Sequence, residues 1–217
     1  MMIKAVVFDM DGLMFDTETV ATRSWLDTAR DWDVEISDEF RESLVGLNAR
    51  SIRRACVDYF GGSFDLDGFL AEVSRRFVAT LDRDGVPEKK GLHELLDWLR
   101  AGGYRIGLAT SSDSRHAKHH LAAAGVLDYF DALVCGEMVK EGKPAPEIYA
   151  TAAAMLHMSP GECAALDDSP AGIRSASSAG LAAVMIPDRI APPPDVRALA
   201  AAVLDSLLDV PDFLRGR

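Results

Sequence analysis

Two aspartates, Asp9 and Asp11, lie directly after a short apolar run near the start of the chain. The run, Ile3–Phe8, is rich in Ile, Val and Phe, which is typical of a buried parallel strand. Open α/β sheets place their ligand sites at the carboxyl ends of such strands. Two carboxylates so close together raise each other's pKa, and a bound divalent cation removes that cost. Taken alone, the pair leaves open a loop in which the aspartates only cap a helix.

Three further groups of polar residues stand at the ends of other predicted elements. Thr110 and Ser111 end a second apolar strand, and Lys143 lies between a glycine and a proline just ahead of a predicted helix. Asp167 and Asp168 end another strand and precede a helix, so helix capping and metal binding are both open to them. Carboxylates that meet at one sheet edge repel each other by about 4 kcal/mol per pair. A hard cation with oxygen ligands, Mg²⁺, resolves this repulsion.

In this order the motifs resemble those of the haloacid dehalogenase-like (HAD) hydrolase superfamily. The phrases DMDGLMFDTE, GKPAPEIY and DDSPAGI are similar to its branch of β-phosphoglucomutases and sugar phosphatases. The resemblance covers the whole chain. Any one of the motifs is a weak signal, but the four in this order are highly specific.

The resemblance implies phosphoryl transfer through an aspartyl-phosphate intermediate. Asp9 would be the nucleophile that attacks phosphorus. Asp11 would protonate the leaving oxygen and then, as a base, activate water. Lys143 would neutralise charge on the phosphoryl group and on Asp9. Thr110 would offer a hydroxyl group, and Ser111 a backbone N–H, to the phosphoryl oxygens.

The resemblance also implies the ligands of the Mg²⁺ ion. They are Asp9, the backbone carbonyl of Asp11, and Asp168, with Asp167 bound either directly or through water. The commonest form of the family has Glu-Asp where this chain has Asp167 and Asp168. The shorter side chain leaves direct contact between Asp167 and the metal open.

Asn48 and Arg50 lie in a loop that resembles the substrate-specificity loop of the family, which makes them candidate substrate-binding residues. The alternative is that Asn48 caps the following helix and Arg50 lies on its solvated face. The mutases of the branch hold a second phosphate with additional cations. This chain has Ala21 at or near one of those positions and no lysine between Lys4 and Lys89. A phosphatase is therefore favoured over a β-phosphoglucomutase-like mutase.

Hydrophobic periodicity predicts the elements that position these residues. Over residues 17–84 apolar residues repeat at helical spacing only, which predicts four short helices in a small inserted bundle. The resemblance implies that this bundle is an α-helical cap subdomain. Residues 1–16 and 85–217 alternate strands with helices and end with a helix expected over 195–208. The predicted fold class is α/β, with a doubly wound, mostly parallel Rossmann-like sheet as the core domain.

Composition and charge exclude several classes of partner. A net charge of −11 argues against nucleic acid and anionic membranes, which both require a basic surface. The cysteines Cys56, Cys135 and Cys163 lack C-x-x-C spacing, which predicts reduced core thiols. No targeting segment or long apolar run occurs, so we expect a cytoplasmic protein, and we expect it to be monomeric. The histidines are expected at the surface.

These observations predict a Mg²⁺-dependent phosphatase that acts on a small phosphorylated metabolite, with a sugar phosphate as first choice. A β-phosphoglucomutase-like mutase is the second hypothesis. Dehalogenation of 2-haloacids is disfavoured because it has no leaving-group oxygen for Asp11 to protonate. A binding module without activity is disfavoured by the complete set of acids and lysine.

Overall fold

Strands in the described part of the chain form one parallel sheet. The computed structural model describes residues 2–44, 47, 49–188 and 191–216. The strands are β1 Ala5–Phe8, β2 Arg105–Ala109, β3 Ala132–Val134, β4 Cys163–Asp167, β5 Ala182–Met185 and β6 Ala202–Val203. They lie in the order β3-β2-β1-β4-β5-β6, and each neighbouring pair is parallel. Because β1 lies between β2 and β4, the residues that follow these strands meet at one edge of the sheet.

Helices cover both faces of the sheet. They are α5 Leu92–Ala101, α6 Ser114–Ala123, α7 Glu147–Met155, α8 Pro170–Ser178, α9 Pro194–Leu199 and α10 Val210–Arg215. Side chains alternate along β1: Val6 and Phe8 pack into the apolar cluster that includes α5, α6 and α10, whereas Ala5 and Val7 pack into the cluster that includes α7, α8 and α9. The predicted doubly wound α/β sheet is confirmed.

The helices that precede this alternation are α1 Thr17–Asp31, α2 Asp38–Ser43, α3 Ala49–Phe60 and α4 Leu66–Asp84. They build apolar clusters of their own, one around Ala29, Phe69 and Val73 and another around Phe40 and Cys56. A separate apolar core is what an inserted helical subdomain requires, because its residues must be buried without help from the sheet.

The chain crosses between the sheet and these helices through two segments that lie side by side. The N–H of Asp16 donates to the carbonyl of Pro87 at 2.8 Å, and the N–H of Lys89 donates to the carbonyl of Met14 at 2.8 Å. The Lys89 ammonium also donates to Asp188 Oδ1 at 2.6 Å, beyond β5. The two crossings therefore form a short paired connection that is tied to the sheet.

Two expectations from the sequence are wrong. The helix expected over 195–208 ends at Leu199, because Ala200 is extended and the N–H of Ala201 donates to the carbonyl of Ala183 at 2.7 Å, which starts β6. The expectation that the histidines lie at the surface is wrong for His120. The residue is 3% exposed because α6 packs its ring against Phe15 and Phe77.

Within the described residues, no helix is both long enough and apolar enough to cross a membrane.

Candidate active site

The carboxyl edge of the sheet brings together residues that are far apart in the sequence. The N–H of Asp9 donates to the carbonyl of Leu166 at 2.9 Å, which places Asp9 beside the end of β4. Thr110 follows β2, and its N–H donates to the carbonyl of Val134 at 3.0 Å. These polar side chains are buried, together with Lys143, Asp167, Asp168 and Ser169.

Lys143 connects two of the strand ends. Its Nζ donates to Asp9 Oδ1 at 2.5 Å and to Asp167 Oδ2 at 2.6 Å. The loop that carries it is fixed from both sides, since the N–H of Ala145 donates to the carbonyl of Gly142 and Ser175 Oγ donates to the carbonyl of Ala145. A cationic side chain that is almost entirely buried is thereby held against the predicted nucleophile.

Asp167 accepts hydrogen bonds on both carboxylate oxygens. Besides Lys143, the hydroxyl of Tyr149 donates to Oδ2 at 2.5 Å. The N–H and Oγ of Ser169 donate to Oδ1 at 2.9 and 2.8 Å. This aspartate, predicted as a metal ligand, is thus enclosed by protein donors.

Asp11 has a different environment from Asp9. Thr17 Oγ1 donates to Asp11 Oδ1 at 2.7 Å, and Ser112 Oγ donates to Oδ2 at 2.8 Å. Neither partner is charged, and Thr17 is the first residue of α1. The Asp11 carboxylate is therefore oriented by two neutral hydroxyl groups, one from the start of α1 and one from the segment that follows β2.

Gly12 allows the chain to turn immediately after these acids. Its φ is +85°, and a Cβ atom at this position would lie 2.3 Å from Asp168 Oδ2. The glycine is required both by the backbone conformation and by the close approach of Asp168. The D-x-D-G spacing therefore brings the first and last motifs into contact.

The remaining predicted site residues are Thr110, Ser111, Arg50 and Asn48. Thr110 Oγ1 accepts from the N–H of Ser112 at 3.1 Å, and Ser111 is half-buried beside it. Arg50 is exposed in the first turn of α3, and no ion pair joins it to the buried acids within the described residues. Asn48 lies outside the described residues.

Neither Ser112 nor Tyr149 is among the site residues predicted from the sequence. Ser112 and Asp113 directly precede α6, where Ser and Asp ordinarily cap a helix. Asp113 does cap α6, since its Oδ1 accepts from the N–H of His116 at 3.0 Å. Ser112 instead contacts Asp11. Tyr149 had a detectable signal, because a tyrosine in an alanine-rich buried helix must find a partner for its hydroxyl group.

The site holds more negative charge than its lysine balances. Burial raises the pKa of Asp9 to about 8, against the attraction of Lys143 and with repulsion from Asp167 and Asp11 adding to the rise. Burial, followed by repulsion from Asp167 and Asp9, raises the pKa of Asp168 well above its ordinary value. Burial alone would lower the pKa of Lys143, but Asp167 and Asp9 outweigh it and raise that pKa.

The donor set fits a hard divalent cation. Among the described residues, no three His, Cys, Asp or Glu side chains form a ready cluster around one metal position. The expected ligand set needs only two such side chains, those of Asp9 and Asp168, because Asp11 would bind through its backbone carbonyl. All three donors are oxygens, and the excess negative charge favours a cation such as Mg²⁺.

Comparison with known proteins identifies the family. The model of the haloacid dehalogenase-like hydrolase family matches residues 3–180. The chain belongs to this family. The β-phosphoglucomutase of Bacillus subtilis (strain 168) is 34% identical over 188 residues, which cover 84% of this chain and 82% of the relative.

Two further relatives agree with this HAD-like assignment. A phosphorylated carbohydrates phosphatase of Thermotoga maritima is 29% identical over 182 residues, which cover 82% of each chain. A crystal structure of the β-phosphoglucomutase from Clostridium difficile superimposes with a TM-score of 0.82 at 25% identity, covering 99% of this chain and 98% of the other. The predicted family and enzyme class, a HAD-like phosphoric monoester hydrolase, are confirmed.

Proposed function

We propose that this protein is a Mg²⁺-dependent phosphatase that hydrolyses a small phosphorylated carbohydrate through an aspartyl-phosphate on Asp9. The observation that carries the proposal is the contrast between two aspartates two residues apart. Asp9 is buried and paired with the Lys143 ammonium, whereas Asp11 is held by the neutral hydroxyls of Thr17 and Ser112. One is arranged to receive a phosphoryl group and the other to transfer protons.

In the first step, a carboxylate oxygen of Asp9 bonds to phosphorus while the bond from phosphorus to the substrate oxygen breaks. Asp11 gives its proton to that leaving oxygen. Lys143 lies within hydrogen-bond distance of Asp9, so its positive charge is close to the phosphoryl oxygens as their charge develops. Its contacts are already formed, which means that little reorganisation is needed.

In the second step, Asp11 takes a proton from water, and the water oxygen bonds to phosphorus. The bond between phosphorus and Asp9 breaks, which releases phosphate and restores both carboxyl groups to their starting states. Mg²⁺, held by Asp9, the Asp11 carbonyl and Asp168, would neutralise negative charge on the phosphoryl group and the acids. Thr110 and the backbone N–H of Ser111 would orient the phosphoryl oxygens.

The carbohydrate class is supported by the relatives. The Thermotoga maritima relative is named a phosphorylated carbohydrates phosphatase and the Bacillus subtilis relative a β-phosphoglucomutase, and each is matched over more than four-fifths of its length. We assign residues 17–84 as a cap subdomain that covers the carbohydrate, with residues 1–16 and 85–217 as the core. Arg50 and Asn48 would contact the leaving group from the cap.

The expected cytoplasmic location and monomeric state remain part of this proposal. The cysteines Cys56, Cys135 and Cys163 are buried free thiols, and burial raises the pKa of each to about 11. Thiols of this kind suit a reducing compartment.

A β-phosphoglucomutase-like mutase is the second candidate, favoured by the 34% identity to the Bacillus subtilis enzyme. The two reactions are separated by incubating the protein with β-glucose 1-phosphate and Mg²⁺. We expect free phosphate and glucose, with Asp9→Asn as the inactive control. Conversion to glucose 6-phosphate without free phosphate would instead establish the mutase.

A further inference from the structure

The carboxylate of Asp167 is occupied by protein donors on every side. Lys143 and Tyr149 donate to Oδ2 at 2.6 and 2.5 Å, and Ser169 donates twice to Oδ1. The residue is 0% exposed. A carboxylate has about four lone-pair positions, so these contacts use its full accepting capacity.

The first turn of α8 is shaped around this carboxylate. A Cβ atom at Gly172 would lie 1.9 Å from Asp167 Cγ, so only glycine leaves the space that the carboxylate fills. Ser169 Oγ also accepts from the N–H of Gly172 at 3.0 Å while it donates to Asp167. The positive end of the helix dipole adds to the attraction. Asp167 is therefore held in place independently of any ligand at the sheet edge.

Tyr149 supplies the contact from the opposite side. It is 0% exposed on α7, and the Lys143 ammonium lies 5.0 Å from the centre of its ring. Burial, followed by the carboxylates of Asp167 and Asp9, raises the pKa of Tyr149 well above its ordinary value, so the hydroxyl stays protonated and donates. Tyr149 therefore contacts Asp167 through its hydroxyl group, and its ring lies beside the Lys143 ammonium.

Asp168 contrasts with its neighbour. It is also buried, yet no side-chain hydrogen bond or ion pair to its carboxylate is formed by the described residues. Its Oδ2 lies against Gly12, the residue that follows the second acid of the first motif. Of the paired aspartates, Asp168 has free accepting capacity beside Asp9 and Asp167 has none.

We propose that Asp167 anchors Lys143 instead of binding the metal, and that Tyr149 is a positioning residue that holds Asp167 in this role. The chain of contacts runs from the Tyr149 hydroxyl through Asp167 to Lys143 and on to Asp9. The catalytic consequence rests on the proposed phosphatase function, because it places the ammonium where the phosphoryl group is transferred.

The metal arm of the test compares Asp167→Asn with Asp168→Asn by calorimetric titration of each protein with Mg²⁺. We expect Asp168→Asn to weaken Mg²⁺ binding about 100-fold and Asp167→Asn to weaken it less than about fivefold. Equal weakening in both variants would overturn the proposal. The titration needs no substrate, so it decides the role of Asp167 even if the protein hydrolyses no phosphate ester.

The positioning arm uses Tyr149→Phe, which removes one hydroxyl group and keeps the ring, so the result does not depend on whether Asp167→Asn folds. The matched control is Tyr129→Phe, since the Tyr129 hydroxyl donates to Asp97 Oδ1 at 2.5 Å on the surface, away from the site. We expect Tyr149→Phe to lower kcat for acetyl phosphate about tenfold, with unchanged Mg²⁺ affinity. The control should leave kcat unchanged.

A spectroscopic readout separates positioning from a general loss of structure. The ¹⁵N resonance of the Lys143 ammonium should shift in Tyr149→Phe and stay in place in Tyr129→Phe, because only the former loses a donor to the carboxylate that binds Lys143. An unshifted resonance together with wild-type kcat in Tyr149→Phe would contradict the positioning role.

Discussion

The carboxyl edge of the sheet and the first turn of α3 hold the two groups of residues that the proposed function needs, and they differ in burial and bonding. Lys143 is 4% exposed and is bonded to two carboxylates. Arg50 is exposed, and no ion pair to the buried acids is formed by it within the described residues. On the proposed function, Lys143, which would act on the phosphoryl group common to every substrate, is fixed by two ion pairs, whereas Arg50, assigned to the leaving group, is exposed.

The largest effect should come from Asp9→Asn, because an amide cannot form the acyl-phosphate although its shape is nearly the same. We expect kcat to fall by several orders of magnitude on every substrate. The melting midpoint should stay close to that of the wild type, since the amide keeps the shape of the side chain and Lys143 keeps its second carboxylate partner, Asp167. Activity within about tenfold of the wild type would remove Asp9 from the nucleophile role.

Metal removal should abolish activity almost as completely. The acids at the sheet edge carry more negative charge than Lys143 balances, so a chelator in excess should stop turnover and added Mg²⁺ should restore it. Ca²⁺ should restore little, because its larger and looser coordination does not hold the reacting groups in line. The measurement is the steady-state rate of hydrolysis with each ion. Full activity in the chelator would show that the chemistry needs no metal.

Arg50→Ala tests whether the exposed region reads the leaving group. We expect transition-state binding of the preferred sugar phosphate to weaken by about 1.5–3 kcal/mol, the value of a hydrogen bond to a charged group. Hydrolysis of acetyl phosphate, which is too small to reach the cap, should be unaffected. The measured quantity is kcat/KM for both substrates.

Arg53→Ala is the matched control for Arg50, since Arg53 is an exposed arginine on the same helix that pairs with Asp67. Arg53→Ala should leave kcat/KM unchanged for both substrates. Equal losses on both substrates for Arg50→Ala would place Arg50 on a solvated helix face with no role in specificity.

The smallest effect should come from Ser112→Ala, which removes one of the two hydroxyls that orient Asp11. Water can replace the lost donor at this half-buried position, so we expect kcat to fall by a factor that corresponds to about 1 kcal/mol. Ser43→Ala, which removes a hydroxyl bonded to the Phe40 carbonyl on α2, should leave kcat unchanged. If the two variants behave alike, Ser112 does not orient Asp11.

The sheet and the buried site could be predicted because strong signals coincide there. β1, β2 and β4 are apolar runs, and polar residues follow each of them at the edge where parallel strands place their ligands. The position of Lys143 depends on the loop before α7, and the motif that contains it came from the family resemblance.

Other features depend on tertiary contacts that leave little trace in the sequence. The strand β6 has only two residues in an alanine-rich stretch, and alanine favours a helix until the edge of β5 offers backbone partners. His120 is buried because α6 faces Phe15 and Phe77, which lie far away in the chain. The bond between Tyr149 and Asp167 likewise requires knowing how α7 packs beside β4.

Trapping the phosphorylated enzyme tests the central claim most directly. The protein is mixed with Mg²⁺ and a sugar phosphate, quenched in acid during the first turnover and digested for mass spectrometry. We predict that one phosphoryl group appears on the peptide that contains Asp9, and that it is absent from Asp9→Asn. Release of phosphate in the first turnover without a phosphorylated peptide, or with the group on another residue, would contradict a phosphoryl transfer through Asp9.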